Sequence, residues 1–192
     1  MNASLRIGAA TGAASGILIA AASSVEAVTG EIPATGLALG VAPALGLPLI
    51  VALHLGHRGA ARTLGSVAYG LNLVGLGLFG GAAFALNLVL VHLDPAVTAD
   101  LPGAARAALL GSALVFSAGT VLFGVAMLRA GVYPRVPVAV YAFAFPLIAL
   151  LAPLPDTLFV SAVHVVSGAA LVWLAHAVHA GPAAAGSDPG RA

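Results

Sequence analysis

Neutral polar side chains deep in two apolar stretches are the residues of this sequence that could do chemistry. Asn87 lies in the stretch 64–93, and His164 lies in the stretch 157–179. At about 1.5 Å per helical residue, Asn87 is roughly 9 Å and His164 roughly 10 Å from the same end of their helices, so their side chains could meet. A histidine at this depth can accept a proton or bind a ligand, and an asparagine amide can orient it.

Charged and polar residues beside the same helix ends enlarge this candidate site. We expect a small polar cavity open to the outside, whose ligand-binding candidates are Asn87, His164, His92, Asp94, Asp156 and Glu26. The alternative is a direct hydrogen bond between the Asn87 and His164 side chains, worth about 0.6 kcal/mol between membrane helices. The two interpretations differ in whether the side chains line a void or touch each other.

Two histidine pairs at the opposite helix ends have the spacing of metal ligands. An i, i+3 pair can chelate one metal, and two pairs would supply four nitrogens from His54, His57, His176 and His179. All four lie at or beyond the membrane interface, where histidine is tolerated, and no carboxylate is near in sequence to orient them. We therefore favour no metal site.

Motifs of cofactor and enzyme sites are absent from the sequence. His164 and His176 are twelve residues apart, which rotates them by about 120° on one helix and does not suit a shared haem. There is no phosphate-binding glycine loop, no His-Glu-x-x-His and no Gly-x-Ser-x-Gly. We predict no cofactor, and catalytic residues stay unassigned.

The composition is that of a membrane protein. Hydrophobic residues make up 61% of the 192 residues and charged residues 7%, too few charges to cover a soluble globule. The chain has no cysteine, which excludes disulfides and thiolate sites, and its net charge of +1 offers no basic patch for nucleic acid. Its seven basic residues are all arginine, and with abundant alanine and glycine this indicates a GC-rich bacterial genome.

The predicted fold class is an all-α bundle of six transmembrane helices, at residues 5–25, 36–55, 64–93, 104–129, 136–153 and 157–179. Residues 1–180 form one domain, and residues 181–192 form a disordered cytoplasmic tail. In the first helix, Gly8, Gly12 and Gly16 would let another helix approach closely. The alternative for this helix is a signal peptide cleaved after Ala27.

The third predicted helix has two different faces. One stripe carries Gly65, Tyr69, Asn72, Leu76, Gly80, Ala83 and Asn87, and the opposite stripe carries Val67, Leu71, Val74, Leu78, Ala82, Ala85 and Val89. The first stripe suits contact with protein and the second suits lipid. We expect this helix to be central in the bundle.

Prolines interrupt the middle helix of each half of the chain. Pro43 and Pro48 lie in the second helix, and Pro146 lies in the fifth. Corresponding broken helices in halves of opposite topology are typical of inverted-repeat transporters. The two halves share little sequence, however, and no acidic residue lies at mid-membrane to couple an ion.

The charges predict the orientation. Six of the seven arginines lie in alternate connecting segments, and Arg106 is the exception. The acidic residues Glu26, Glu31, Asp94, Asp100 and Asp156 lie in the other segments. The positive-inside rule then places both termini in the cytoplasm of a bacterial cell, with six spans in its cytoplasmic membrane.

One segment resembles a known group of proteins. The residues Leu122-Phe123-Gly124, followed by Leu128-Arg129-Ala130-Gly131-Val132-Tyr133-Pro134-Arg135, resemble the helix-end motif of small multi-pass bacterial membrane proteins classed as a domain of unknown function. The resemblance implies a multi-pass membrane fold and no particular activity. In physical terms, the two arginines would anchor the turn at the anionic cytoplasmic face, and Tyr133 would lie at headgroup level.

Three functions fit these observations. The favoured one is a non-enzymatic membrane protein with a structural or modulatory role, whose partners are the lipid bilayer and another membrane protein or a second copy. The alternative is a binding or transport protein for a small molecule or lipid, with an outward-facing polar cavity around Asn87 and His164. The third is an intramembrane enzyme acting on a lipid or terpenoid at the outer leaflet, because Glu26, Asp94 and Asp156 share one side of the membrane.

Overall fold

The computed structural model describes residues 3–57, 63–152 and 157–181, and within these ranges the chain is almost entirely helical with no strand. The α-helices are α1 (Ala3–Thr29), α2 (Pro33–His57), α3 (Thr63–Leu88), α4 (Pro95–Ala99), α5 (Gly103–Ala130), α6 (Arg135–Leu151) and α7 (Leu158–Ala180). A short 3-10 turn, Leu90–His92, follows α3.

Five of the helices are long and apolar enough to cross a membrane: α1, α2, α3 with its 3-10 turn, α5 and α7. Helix α6 has 17 residues, which gives it a length of about 25 Å. Large apolar side chains such as Phe143, Leu114 and Val67 are exposed on the outside of the bundle. Such a surface is compatible with an all-helical membrane bundle.

The six long helices form a closed ring. Each helix packs mainly against two others, in the order α1, α2, α3, α5, α6, α7 and back to α1, and α2 also has a minor contact with α7. Chain neighbours are therefore spatial neighbours, and the first helix also packs against the last. No described helix occupies the middle of the ring.

Glycines set the closest helix contacts. Gly8 and Gly12 of α1 face α2, and a Cβ atom at Gly12 would lie 2.5 Å from the Leu49 side chain. At Gly16, α1 meets Gly168 of α7, and a Cβ on either glycine would collide with the other's carbonyl oxygen. The predicted role of the α1 glycines in close helix packing is confirmed.

The half of the ring nearer the turn between α5 and α6 is filled by side chains. A polar cluster lies where this filled half ends, at about the middle of the helices. The Asn72 amide nitrogen donates a hydrogen bond of 2.6 Å to the Tyr141 hydroxyl, and the Thr120 hydroxyl donates one of 3.0 Å to Asn72 Oδ1. All three residues are buried and come from α3, α5 and α6. The cluster joins three neighbouring helices at mid-length, where water does not compete for the bonds.

The turn between α5 and α6 is docked on α2. Gly131 ends α5 in the left-handed region with φ of 65°, as is typical of a glycine that follows a helix. Tyr133 is buried, and its hydroxyl donates a hydrogen bond of 3.0 Å to the Leu53 carbonyl oxygen. The ring of Tyr133 thus packs against the end of α2, and its predicted position at headgroup level stays a prediction. Arg129 and Arg135 on either side of the turn are exposed.

The predicted helices occur in the predicted order, and their ends differ by a few residues. The largest difference is in the third helix, predicted to reach residue 93, whose α-helix ends at Leu88. Asp94 has extended backbone (φ −55°, ψ 133°) because Pro95 follows it, and it begins the separate helix α4. The segment between α3 and α5 thus consists of a 3-10 turn and the short helix α4.

The faces of α3 are as predicted, but its position is not. Gly65, Asn72, Leu76 and Ala83 are buried, while Val67 is 60% exposed. Helix α3 is nevertheless a member of the ring, and 17% of its membrane-length segment is buried, against 33% to 44% for the other four long apolar helices. The expectation that it is central is wrong because the middle of the ring is a cavity.

Candidate binding cavity

A cavity of about 560 Å³ occupies the half of the ring opposite the Tyr133 turn. All six long helices contribute to its wall, together with the segment between α3 and α5. Its lining on α1 extends from Ser15 to Glu26, a distance of about 16 Å along the helix axis. The cavity is thus a deep space inside the ring rather than a surface depression.

The mouth of the cavity lies at the end of the ring that carries the acidic residues. Glu31 and Val91 belong to the lining and are exposed, so the cavity reaches the surface there. A Cβ atom at Gly36 would lie 3.7 Å from Glu31 Oε1 and 3.1 Å from the Asn87 carbonyl oxygen. The Glu31 carboxylate therefore lies beside the start of α2, close to the end of α3.

The inner wall of the cavity is aromatic. The rings of Phe79 and Phe116 stack with their centroids 4.7 Å apart, and Phe145 meets Phe116 edge-on at 6.4 Å. Tyr141 lies at the floor with its ring centroid 5.3 Å from that of Phe145. The polar cluster of Asn72, Thr120 and Tyr141 therefore closes the cavity towards the filled half of the ring.

Polar side chains interrupt the apolar wall and are concentrated towards the mouth. The polar residues of the lining are Ser15, Ser23, Glu26, Glu31, Asn87, Thr98, Tyr141, Ser161 and His164. An apolar wall with a few polar groups is the usual composition of a small-molecule site.

Asn87 and His164 line this same cavity. The Asn87 amide nitrogen donates a hydrogen bond of 2.8 Å to the Ala83 carbonyl within α3. His164 Nδ1 lies 2.9 Å from the Val160 carbonyl within α7, and since a carbonyl oxygen accepts, Nδ1 carries the proton in this bond. The Asn87 side chain is thus held by its own helix rather than by His164, and the two side chains share a void.

The other candidates at this end are divided. Glu26 lines the cavity and is half-buried. His92 is exposed in the 3-10 turn, outside the lining. Asp94 is also exposed, and its carboxylate accepts a hydrogen bond of 2.8 Å from the Ala96 amide as the N-cap of α4. Asp156 lies outside the described residues.

The four histidines considered as metal ligands do not form one cluster in the described structure. His54 is half-buried and stacks on Tyr69 with ring centroids 4.1 Å apart. His176 and His179 are exposed near the end of α7, and the His57 side chain is outside the described part. Across the described residues, no group of three or more His, Cys, Asp or Glu side chains is arranged to hold a metal ion.

Several residues that line the cavity were not predicted from the sequence. For those on α1, the spacing in the sequence indicates that they share one helix face. Ser15, Ile19 and Ser23 recur every four residues and continue to the candidate residue Glu26, so the four mark one face of α1. All four line the cavity. The aromatic residues of α3, α5 and α6 carried no comparable signal, because an aromatic side chain in an apolar helix packs against protein or lipid equally well.

Comparisons of the chain with protein-family models, with curated proteins and with solved structures each give no match. The resemblance of the segment from Leu122 to Arg135 thus stays a prediction, and the function has to be argued from the cavity.

Proposed function

We propose that this protein is a membrane-embedded binding protein whose cavity takes up a small amphiphilic molecule. The observation that carries the proposal is the cavity of about 560 Å³ enclosed by all six long helices. Its volume is within the range of roughly 300–1,000 Å³ typical of small-molecule sites. The polar mouth suits the head of an amphiphile, and the aromatic wall suits its apolar body.

A purely structural or modulatory role accounts less well for this space. Side chains filling the ring would gain dispersion contacts that a void forfeits, and the other half of the ring is filled in this way by residues such as Phe123, Met127 and Leu174. The floor formed by the polar cluster of Asn72, Thr120 and Tyr141 favours binding from one side. A second membrane protein on the outer surface of the ring is compatible with this function.

The proposed location is the bacterial cytoplasmic membrane, with six spans including α6 and both termini in the cytoplasm. Charge supports this orientation. We call the end of the ring with the mouth of the cavity the open end, and the end with the Tyr133 turn the closed end. Arg6, Arg129 and Arg135 lie at the closed end. Four carboxylates lie at the open end, on Glu26, Glu31, Asp94 and Asp100. By the positive-inside rule the cavity then opens away from the cytoplasm.

Photolabelling tests the binding function. The protein is reconstituted in phosphatidylcholine nanodiscs and irradiated with a dodecanol that carries a diazirine near its chain end, and labelled residues are mapped by mass spectrometry. We expect labels on cavity residues such as Phe79 and Phe145, in addition to lipid-facing residues such as Phe143, which is 75% exposed.

Two matched substitutions separate cavity binding from contact with the bilayer. Ala83→Phe places a ring in the buried cavity wall, and Ala118→Phe places one on the exposed face of α5. The first should remove labels inside the cavity and preserve those at Phe143, while the second should change neither. Labels confined to outward-facing residues in the unmodified protein would refute the binding function.

A further inference from the structure

Two buried serine hydroxyls in the cavity wall have no hydrogen-bond partner within the described part of the chain. Ser23 on α1 is 2% exposed and Ser161 on α7 is 8% exposed, and both residues line the cavity. By contrast, Ser24 on α1 and Ser167 on α7 each donate a hydrogen bond of 2.7 Å to the carbonyl four residues earlier in the same helix. A buried hydroxyl without a partner costs free energy, so the two cavity hydroxyls would gain from a bound molecule.

The two hydroxyls lie at one level of the contact between α1 and α7. Helix α7 runs opposite to α1, because the six long helices of the ring alternate in direction along the chain. Their closest contact is between Gly16 and Gly168. Ser23 follows the glycine of α1 by seven residues, and Ser161 precedes the glycine of α7 by seven residues. Seven residues are about two helical turns, so each serine lies on the face of its helix that carries the glycine, about 10 Å nearer the mouth. The two serines therefore face each other, and no hydrogen bond joins them in the described structure.

A backbone carbonyl on α2 is a third polar group at this depth. Leu39 and Pro43 both line the cavity. Proline has no N–H, so Pro43 cannot donate to the Leu39 carbonyl as the fourth following residue of a helix normally does. Leu39 is six residues from the start of α2, and Ser23 is six residues from the end of α1, which is about 9 Å in each helix. The wall thus combines one carbonyl acceptor with two hydroxyls that both donate and accept.

These three groups match a neutral head that both donates and accepts a hydrogen bond. Glu26 and His164 also line the cavity, but both already have interactions within the chain, and the site does not need them. An alcohol hydroxyl can donate to a carbonyl and accept from a serine, whereas an ether oxygen or a carboxylate only accepts. A neutral head also avoids the cost of moving a charge into the membrane.

Beyond the two serines, the wall suits an elongated apolar body. From Ser23 the lining of α1 continues to Ser15, about 12 Å further along the helix. The Ser15 hydroxyl donates a hydrogen bond of 2.7 Å to a carbonyl of α2, so it is already paired. The rings of Phe79, Phe116 and Phe145 form one continuous aromatic surface on the inner wall. An apolar chain that enters past the serines therefore meets an apolar surface.

We infer that the cavity selects elongated lipophilic alcohols, with the alcohol hydroxyl between Ser23 and Ser161 and the apolar chain against the aromatic wall. This inference rests on the proposed binding function and adds the chemical class of its ligand. The bound hydroxyl supplies the partner that the two serine hydroxyls lack within the described chain. It belongs either to a free long-chain alcohol or to a monoacylglycerol.

Three diazirine probes of equal chain length test the selectivity: dodecanol, its methyl ether and dodecanoic acid, in phosphatidylcholine nanodiscs at neutral pH. We expect the alcohol to reach half-maximal labelling of cavity residues at a concentration about tenfold lower than the ether, because the ether cannot donate a hydrogen bond. The carboxylic acid, which is charged and only accepts, should label the cavity least. Labelling of Phe143 corrects for unequal partitioning of the probes into the bilayer.

Serine variants assign the selectivity to the two hydroxyls. Ser23→Ala and Ser161→Ala should each reduce the advantage of the alcohol over the ether by about threefold. Ser24→Ala is the matched control and should not, because it removes an exposed hydroxyl from the next position of α1, outside the lining. Since neither cavity hydroxyl has a partner in the described chain, both alanine variants should unfold in sodium dodecyl sulfate at the same midpoint as the unmodified protein or at a higher one. A lowered midpoint in both would assign the hydroxyls a structural role and overturn the inference.

The probes separate failure of the inference from failure of the binding function. Equal labelling by alcohol and ether, stronger labelling by the acid, or an advantage unchanged in both alanine variants would overturn the recognition of a hydroxyl and leave the binding function standing. Absence of cavity labelling by all three probes would instead refute the binding function itself.

Unlabelled competitors distinguish the two sources of the hydroxyl. Unlabelled dodecanol should displace the alcohol probe from cavity residues with labelling of Phe143 unchanged, and a failure to do so would overturn a specific site. Displacement by monododecanoylglycerol at the same concentration supports a monoacylglycerol as the occupant. Labelling that persists in its presence supports a free long-chain alcohol.

Discussion

The Asn72 amide on α3 donates a hydrogen bond of 2.6 Å to the Tyr141 hydroxyl on α6, and both of these helices pack extensively against α5 but not against each other. The bond crosses the inside of the ring. Thr120 on α5 donates to the other end of the same amide, so three helices are fixed together at the depth where the filled half gives way to the cavity.

Removing this bond should weaken the bundle. Tyr141→Phe deletes the acceptor and leaves the Asn72 amide nitrogen buried, and we expect a loss of about 1 kcal/mol in the free energy of unfolding, as for interhelical hydrogen bonds in membranes. Unfolding by sodium dodecyl sulfate in mixed micelles, followed by circular dichroism, measures the change. Tyr69→Phe is the control, because the Tyr69 hydroxyl makes no hydrogen bond within the described part of the chain. Equal stabilities of the two variants would argue against a structural role for the bond.

Glycine substitutions should have opposite effects at two kinds of position. Gly16→Ala or Gly168→Ala forces a methyl group against the facing backbone, and we expect a destabilisation of about 1–3 kcal/mol from overpacking. Gly77→Ala meets open space and should stabilise α3 by about 0.5–1 kcal/mol through its lower backbone entropy. The same unfolding assay measures both, and a neutral effect of alanine at position 16 would contradict the close approach of α1 and α7.

Because Tyr133 is buried in the turn between α5 and α6, we expect the stability of the protein to fall at alkaline pH. Burial raises the pKa of Tyr133 from 10.0 to about 12. Since the folded protein holds this proton more tightly than the unfolded chain, the contribution of Tyr133 to stability is complete below pH 10 and is lost as the pH rises through about 12. The unmodified protein should therefore lose stability between about pH 10 and 12 more steeply than Tyr133→Phe. Parallel pH profiles would show that Tyr133 does not contribute in this way.

The Tyr133→Phe variant also removes the hydrogen bond to the Leu53 carbonyl. At neutral pH we expect it to be less stable than the unmodified protein by about 1 kcal/mol. Thermal unfolding in a mild detergent measures this difference, with Tyr69→Phe again as the control for loss of a phenol group.

Orientation can be tested with single cysteines because the natural chain has none. Ser4→Cys and Ala180→Cys are exposed sites near the closed end of the ring, and Ala104→Cys is exposed near the open end. In intact cells, a membrane-impermeant maleimide should label the cysteine at position 104 and spare the other two. The reverse pattern would invert the proposed topology. Loss of the Ser4→Cys label in permeabilised cells, with Ala180→Cys retained, would indicate that the first helix is cleaved.

Much of the fold could be predicted because the membrane constrains it. An apolar helix has to satisfy its backbone within itself, so hydropathy locates the helices, and their ends shifted mainly at Asp94, where Pro95 starts a new helix. The ring could not be predicted in the same way. The sequence of α3 shows which of its faces contacts protein. The same residue pattern is expected for a helix at the centre of a bundle and for a helix in the wall of a cavity, so it does not distinguish the two positions.

The candidate site was predictable at its polar positions alone. Asn87, His164 and Glu26 were expected near one cavity because polar residues are costly in a membrane. The few that occur there are therefore candidates for a function. The aromatic wall was not expected, since no spacing rule distinguishes Phe116, which is buried, from Phe143, which faces outward. Asp94 was predicted as a ligand-binding residue, but it caps the helix that begins at Pro95. A carboxylate before a proline fits either role, so the sequence does not distinguish them.

The contact between Gly16 and Gly168 also has a consequence for the cavity. Helices α1 and α7 are the first and the last of the ring along the chain, so their contact joins the two ends of the chain. Without α7, the arc of the other five helices leaves one side of the cavity open. The cavity is therefore complete only when the two ends of the chain meet.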